Sequence, residues 1–215
     1  MPTIPTKILL EQALVANNLA VSQAAEAQLL QYLDCLTRWN HVFNLTAIID
    51  PAEMVTLHVI DSLVIAPCLC GNRMLDVGSG AGLPGIPLAI VYPELHWTLL
   101  DKNGKKTRFL MQAVAECGLK NVEVVQGSVP SPKGAGLGWG EYHTIVARAF
   151  TTIASFAELV APLLAKDGSV IAMKGRYPTE ELADLSQSSF AVQAVLRLEI
   201  KGLDAERHVV MLKKK

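Results

Sequence analysis

Residues able to do chemistry cluster in four stretches of this 215-residue chain. The first reads Asp76-Val77-Gly78-Ser79-Gly80-Ala81-Gly82-Leu83-Pro84-Gly85 and follows a short apolar run. Glycines at alternate positions let the backbone turn tightly, take positive φ and approach a ligand closely. The second is Leu99-Leu100-Asp101, whose acid lies 19 residues beyond Gly82. A carboxylate there can accept from the ribose hydroxyls of a nucleoside. Each has a plainer use: a tight βα turn needs glycine, and Asp is a common helix N-cap. The third stretch holds Lys102, Lys105, Lys106 and Arg108 at a helix start, where the macrodipole disfavours cations. That placement fits phosphate contact or a solvated face. The fourth is Val146-Ala147-Arg148-Ala149-Phe150. Arg148 there reads as a ligand-positioning cation or as an ion-pair partner.

Spacing narrows the ligand. Leu83 stands where a dinucleotide fingerprint has its third glycine. The pattern DxGxGxG is that of S-adenosylmethionine (SAM) methyltransferases, whose ligand has no pyrophosphate and needs room for a methionine moiety near Asp76. The run ending at Arg148 lacks an Asn/Asp-Pro-Pro-aromatic sequence, a Pro-Cys nucleophile and a neighbouring Lys/Asp base. A site without a general base suits an acceptor with a free lone pair, such as guanine N7. Catalysis is then mainly positioning, with Phe150 as a wall for a base. His58, Asp61 and Ser62 share one helical face and are read as a hydrogen-bonded network docking helices on the sheet. The sequence has no HxxxH and no Cys/His cluster of zinc spacing, so no metal is expected. Cys68 and Cys70 read as small buried hydrophobes.

These residues need an α/β scaffold. Ser22 can cap a helix whose Leu29, Leu33, Leu36, Trp39 and Val42 form a core stripe. Asp50-Pro51-Ala52-Glu53 starts another, with Glu53 reaching back, running to about Ile65. Strands are expected at Met74–Val77, Leu95–Leu100, Val122–Gln126, Thr144–Ala147 and Ser169–Met173. Helices fall between them at Lys105–Cys117, ended by Gly118, and Thr152–Ala165, ended by Gly168. The alternation predicts a Rossmann-like, mostly parallel sheet with helices on both faces. Val192–Ile200 and His208–Leu212 are too close for a crossover helix and should form an antiparallel hairpin. Residues 126–141 read as a surface loop. Two parts are expected: a helical extension over 1–70 and a methyltransferase core over 71–215.

Composition sets the class. Hydrophobic residues make up 51% of the chain, enough for a sizeable core. No unbroken apolar run approaches the ~18 residues of a membrane span, and four cysteines without CxxC suit a reducing compartment. The expectation is a cytoplasmic monomer without membrane contact. Net charge is −1, which argues against strong nonspecific nucleic-acid binding. Residues 1–70 have two basic residues against six acidic, and the remainder seventeen against fourteen. A mildly basic body is compatible with an RNA-facing side.

Taken in order, Asn44-Leu45-Thr46, His58, Asp61-Ser62, the 76–87 loop, Leu100-Asp101, Lys105, Phe109-Leu110, Arg148-Ala149-Phe150, Lys174-Gly175 and Glu206-Arg207-His208 resemble the bacterial small-subunit rRNA methyltransferase G family, also called glucose-inhibited division protein B. The resemblance runs from about residue 10 to the C-terminus. It implies a class I SAM-dependent enzyme that methylates N7 of one guanine in the decoding-region loop of 16S rRNA, in the small ribosomal subunit or its precursor. It carries SAM contacts to Gly78 and Leu83, to Ser128-Val129 or Val129-Pro130, and to Arg148; Asp76, Gly80, Gly82 and Asp101 complete the expected cofactor site. Where relatives have an acidic Val-Glu-Glu-like run, this chain has Val129-Pro130-Ser131-Pro132, and Pro130 has no N–H to offer. Lys105, Arg108, Lys174 and Arg207 are assigned to RNA contact by charge and position. Two rival readings remain from the residues alone: a nicotinamide-dependent oxidoreductase, and a noncatalytic SAM- or RNA-binding protein. A small-molecule methyltransferase is a nearer variant.

Overall fold

The computed structural model of the chain describes residues 4–129, 141–148 and 151–215. A seven-stranded sheet has the order β3-β2-β1-β4-β5-β7-β6. Its strands are β1 Arg73–Val77, β2 His96–Asp101, β3 Val122–Gln126, β4 Tyr142–Arg148, β5 Leu164–Lys174, β6 Phe190–Arg197 and β7 His208–Lys214. The first five are parallel, and β7 runs antiparallel to both β5 and β6. The predicted parallel core and antiparallel hairpin are therefore both present.

Strand alternation divides the apolar residues between two layers. Met74, Val146, Ile171, Met173 and Val209 pack on one face, with α1 (Thr6–Ala16), α2 (Gln23–Phe43), α5 (Gly85–Val91) and α6 (Gly104–Glu116). Leu75, Val77, Ile145, Ala147, Val170, Ala172 and Val210 pack on the other, with α7 (Ile153–Val160). The same period puts Asp76, between Leu75 and Val77, and Arg148, after Ala147, on the first face. Both polar groups thus face the layer of the N-terminal helices.

Helix α2 begins as expected, with the Ser22 hydroxyl accepting from Ala25 N–H at 3.2 Å. Its buried stripe is Leu29, Tyr32, Leu33, Cys35 and Leu36. Val42 departs from the expectation: it is 70% exposed, although Asn40 beside it at the helix end is buried. The Asp50 carboxylate caps the next segment by accepting from Ala52 and Glu53 N–H at 2.9 and 3.0 Å. Among the described residues Glu53 makes no return bond. That segment is α3 (Pro51–Met54), a π-helical stretch (Val55–Ile60) and α4 (Asp61–Leu63), followed by a 3-10 turn over Ala66–Cys68. Residues Pro51–Cys68 are long and apolar enough to span a membrane. Here Met54, Val55, Val59, Ile60 and Leu63 are buried in the core.

The expected helix over Thr152–Ala165 is shorter, ending at Val160. Pro162 lacks the N–H that would bond the Glu158 carbonyl. Gly168 is no helix terminator. It lies inside β5, beside a register shift against β4, where a Cβ would come within 2.7 Å of Leu164 Cδ1 and 3.0 Å of the His143 carbonyl. Helix α8 (Thr179–Asp184) was not anticipated. Cys70 is half-buried, with Sγ donating to the His143 carbonyl at 3.1 Å. The expected 126–141 loop falls for the most part outside the described residues.

Candidate active site

The glycine loop links β1 to α5 at the carboxyl edge of the sheet. Gly78, Gly80 and Gly82 have φ of 72, 59 and 85°, a region closed to most L-residues. Gly78 and Ser79 N–H both donate to the Leu100 carbonyl of β2, at 2.8 and 3.1 Å. Tyr32 on α2 donates its buried hydroxyl to the Ala81 carbonyl at 2.7 Å. Leu83 is buried and its N–H donates to the Ser79 carbonyl at 3.0 Å, so its side chain is not available to a ligand. A Cβ on Gly80 would touch nothing nearer than the Gly78 carbonyl at 3.7 Å and Lys106 Nζ at 3.8 Å. A Cβ there would sit in ordinary van der Waals contact, and Gly80 is half-buried.

Asp76 lies behind the loop with no exposed surface. Its Oδ2 accepts from Gly85 N–H at 3.0 Å, and its Oδ1 has no partner among the described residues. Burial raises its pKa to about 7, against the lowering pull of the Gly85 N–H, the Ser79 hydroxyl and the Arg148 charge. Asp101 ends β2, accepting from Gly80 N–H at Oδ2 (2.9 Å) and from Asn103 N–H at Oδ1 (2.8 Å). It is not the N-cap of α6; Asn103 is, accepting from Lys105 N–H at 2.9 Å. The Asp101 carbonyl accepts from Gly127 N–H at 3.1 Å, which sets Ser128 and Val129 beside this acid. Pro130 and Phe150 lie outside the described residues.

Arg148 ends β4 and turns toward the helices before β1. Its Nη1 donates to the Leu57 carbonyl at 3.0 Å and to Asp61 Oδ2 at 3.2 Å. The Arg207 Nε donates to the other oxygen, Asp61 Oδ1, at 3.0 Å. The buried Asp61 carboxylate thus bridges two arginines. Of the expected docking network, Asp61 makes the bonds to Arg148 and Arg207, while the bonds of His58 and Ser62 stay within the N-terminal helical segment. His58 Nε2 is 3.1 Å from Thr46 Oγ1, and the Ser62 hydroxyl donates to the His58 carbonyl at 2.5 Å. Burial pushes the His58 pKa down to about 4, so its ring is neutral at cellular pH.

Beside Arg148 is a cavity of about 260 Å³ lined by Ile48, Leu57, Asp61, Arg148, Met173, Lys174, Gly175, Leu198, Arg207 and His208. Its one acid is Asp61, already committed to the arginines, so the described lining holds no free carboxylate base. Lys174 pairs with Glu181, its Nζ 2.9 and 2.8 Å from the two oxygens. The four cations assigned to RNA therefore divide: Lys174 and Arg207 border the cavity, while Lys105 and Arg108 are exposed on α6. Among the described residues no group of three His, Cys, Asp or Glu could hold a metal.

Sequence reasoning missed Tyr32, and it placed Asp61 in a docking network without identifying its partners. Tyr32 was hidden as one more large residue on an apolar helix face. Asp61 was seen, but its partners lie 87 and 146 residues away.

A family model described as rRNA small subunit methyltransferase G matches residues 25–210. The chain belongs to that family. Proteins named "Ribosomal RNA small subunit methyltransferase G" match it closely over nearly their whole length. The Nitrosospira multiformis protein is 45% identical, over 91% of this chain and 92% of its own. The Methylococcus capsulatus protein is 50% identical, over 86% and 88%. Among solved structures, a SAM-dependent methyltransferase from Aquifex aeolicus superposes with TM-score 0.57 at 19% identity, covering 76% of this chain and 93% of that one. The M. jannaschii TYW2 in complex with AdoMet gives TM-score 0.55 at 13% identity, over 74% and 76%. These two report the fold. Membership sets aside the nicotinamide reading of the glycine loop.

Proposed function

We propose that the chain transfers the methyl group of SAM to N7 of a guanine in 16S rRNA, within the small ribosomal subunit or its precursor. The observation that carries this reading is one row of groups at the carboxyl edge of the sheet, in a chain of this family. Positive-φ glycines follow β1, an acid able to accept from a ribose ends β2, and a cation-lined cavity with no free carboxylate among the described residues opens at β4. The unpartnered, buried Asp76 Oδ1 fits a ligand that carries an ammonium group. Gly80, half-exposed and without a side chain, fits one that must lie close to the loop.

Gly78, Gly80, Gly82 and the Leu83 backbone would cradle the methionine moiety in front of Asp76. Asp101 would accept from the ribose, with Ser128, Val129 and the Pro130 carbonyl along the adenine. When bound, SAM supplies an electrophilic methyl: the N7 lone pair forms the new C–N bond, the C–S bond breaks with its electrons going to sulfur, and positive charge passes to the base. Guanine N7 carries no proton, so the residues need only align donor and acceptor. Arg148, on the strand bordering β1, would position one or both. Lys105 and Arg108 on α6, with Lys174 and Arg207 at the cavity, contact the RNA. The reading is of a monomer in the bacterial cytoplasm. With a net charge of −1, substrate shape must contribute much of the affinity.

The test is calorimetric titration with SAM and with NAD, followed by transfer of labelled methyl to small-subunit particles from cells lacking the gene. SAM binding, no NAD binding and label in 16S rRNA are expected. Absence of SAM binding would overturn the reading. SAM binding without transfer to particles, precursors or naked rRNA would leave a noncatalytic binding protein.

A further inference from the structure

We infer that the cavity at the ends of β4, β5 and β7 receives the target guanine base, and that Asp61 is a positioning residue that aims Arg148 and Arg207 at its O6. The inference rests on the methyltransferase reading and assigns its acceptor subsite. In the sheet, β1 lies next to β4, with Asp76 paired to Val146. Arg148 pairs with Met173 and Lys174 with His208. The cofactor residues therefore occupy the β3-β2-β1 side of the edge and the cavity occupies the β4-β5-β7 side. Arg148 stands at the border.

Size and lining select the occupant. Small-molecule sites span roughly 300–1,000 Å³; about 260 Å³ suits a single heterocycle. Ile48, Leu57, Met173 and Leu198 give apolar surface for a flat ring. The polar contribution is dominated by donors. A guanidinium has five N–H groups and no acceptor. Arg148 spends Nη1 on Leu57 and Asp61. Arg207 spends Nε on Asp61 and Nη1 on the Glu206 carbonyl. Among the described residues the other N–H groups of both arginines remain for a ligand. Guanine offers O6 as an acceptor, whereas adenine offers an amino donor at the same place, which would meet donors.

Aim matters because of the reaction. An unrestrained arginine takes O6 and N7 of guanine together, which would tie up the lone pair that must react. Asp61 counters this by occupying Nε of Arg207, one half of that guanidinium's Nε–Nη2 fork, and by pinning Arg148 through Nη1 so that its orientation is set by the protein. The π-helical stretch assists. Asp61 N–H reaches back five residues to the Thr56 carbonyl, passing over the Leu57 carbonyl that holds Arg148. Such π turns recur at functional sites. Asp61 also offsets one of the two cationic charges near the base, which itself becomes positive on methylation.

The test uses small-subunit rRNA carrying inosine or 2-aminopurine at the methylated position. Both keep N7; only inosine keeps O6. The intact enzyme should methylate inosine and disfavour 2-aminopurine by roughly 5- to 150-fold. Asp61→Asn should keep the SAM dissociation constant, lower kcat about 100-fold, as a misplacement of about 1 Å does, and shrink the discrimination. Asp61→Glu should recover part of both. If Asp61→Asn fails to fold, Arg207→Gln, which leaves the Asp61–Arg148 pair in place, carries the same readout. Equal use of the two bases by the intact enzyme, or variants that lose rate with discrimination unchanged, would overturn the inference. Failure of the intact enzyme on unmodified rRNA would instead overturn the methyltransferase reading.

Discussion

Replacing Asp76 by Asn should make the protein more tolerant of high pH while disabling its cofactor site. Asp76 has no exposed surface, one hydrogen bond from Gly85 N–H and an unpartnered second oxygen. Burial raises its pKa from 3.8 to about 7, so the folded state holds this proton more tightly than the unfolded chain does. The linkage sign follows: below pH 3.8 both states are protonated and nothing is lost, and stability falls as pH rises through about 7. The span between those values, at about 1.36 kcal/mol per pH unit, gives an upper bound of about 4 kcal/mol. Asn keeps an acceptor for Gly85 N–H and has no charge to bury. Its surplus amide hydrogens cost about 1–3 kcal/mol, but equally at every pH. The stability difference between the two proteins, measured by urea unfolding from pH 4 to pH 8, should therefore shift in favour of Asp76→Asn by up to about 4 kcal/mol. SAM affinity should fall in the same variant. Parallel stability curves would refute the reasoning, since Asp76 would then be charged without penalty across the range.

Gly82→Ala should cost about 2–4 kcal/mol in unfolding experiments, because φ is +85° and a Cβ would lie 2.4 Å from Ile86 Cδ1. Tyr32→Phe orphans the Ala81 carbonyl, so stability should fall by about 1–2 kcal/mol and SAM should bind several-fold more weakly by calorimetry. An unchanged dissociation constant would mean that the loop holds its shape without α2. Arg148→Ala should reduce methyl transfer much more than stability. Asp61 keeps Arg207, and the stability cost should stay below the ~3–5 kcal/mol of a fully broken buried pair. Equal losses would leave Arg148 a structural ion-pair partner.

The central strands β1, β2, β4 and β5 were legible because they are buried over most of their length and read as apolar runs, and the more exposed edge strand β3 still alternates around valines. Val122–Gln126 was expected and observed over the same residues. Gly118 ended α6 as its φ of 64° allows. Pro162, without an N–H for the Glu158 carbonyl, ends α7 before the expected Ala165. Gly168 misled because a glycine at a strand bulge looks the same in sequence as one at a helix end. The π-helical stretch left no trace, since Val55–Ile60 has an ordinary apolar helix composition. Within the candidate site, Asp76, the glycines and Asp101 follow a local spacing rule that is visible in the sequence. The Asp61–Arg148–Arg207 bridge joins three distant segments, so only the folded chain reveals it. The plain alternatives at Asp101 and Arg148 also proved informative. Asn103 took the capping role, while Arg148 proved to be both ion-paired and cavity-lining.

The central claim is methyl transfer to a guanine N7 in small-subunit rRNA. Its most direct test is to incubate the protein and SAM with small subunits from cells lacking the gene, then cleave the rRNA chemically at N7-methylguanine. The account predicts one new cleavage in 16S rRNA that depends on both protein and SAM. Incorporated methyl without that cleavage would place the chemistry on another atom and contradict it.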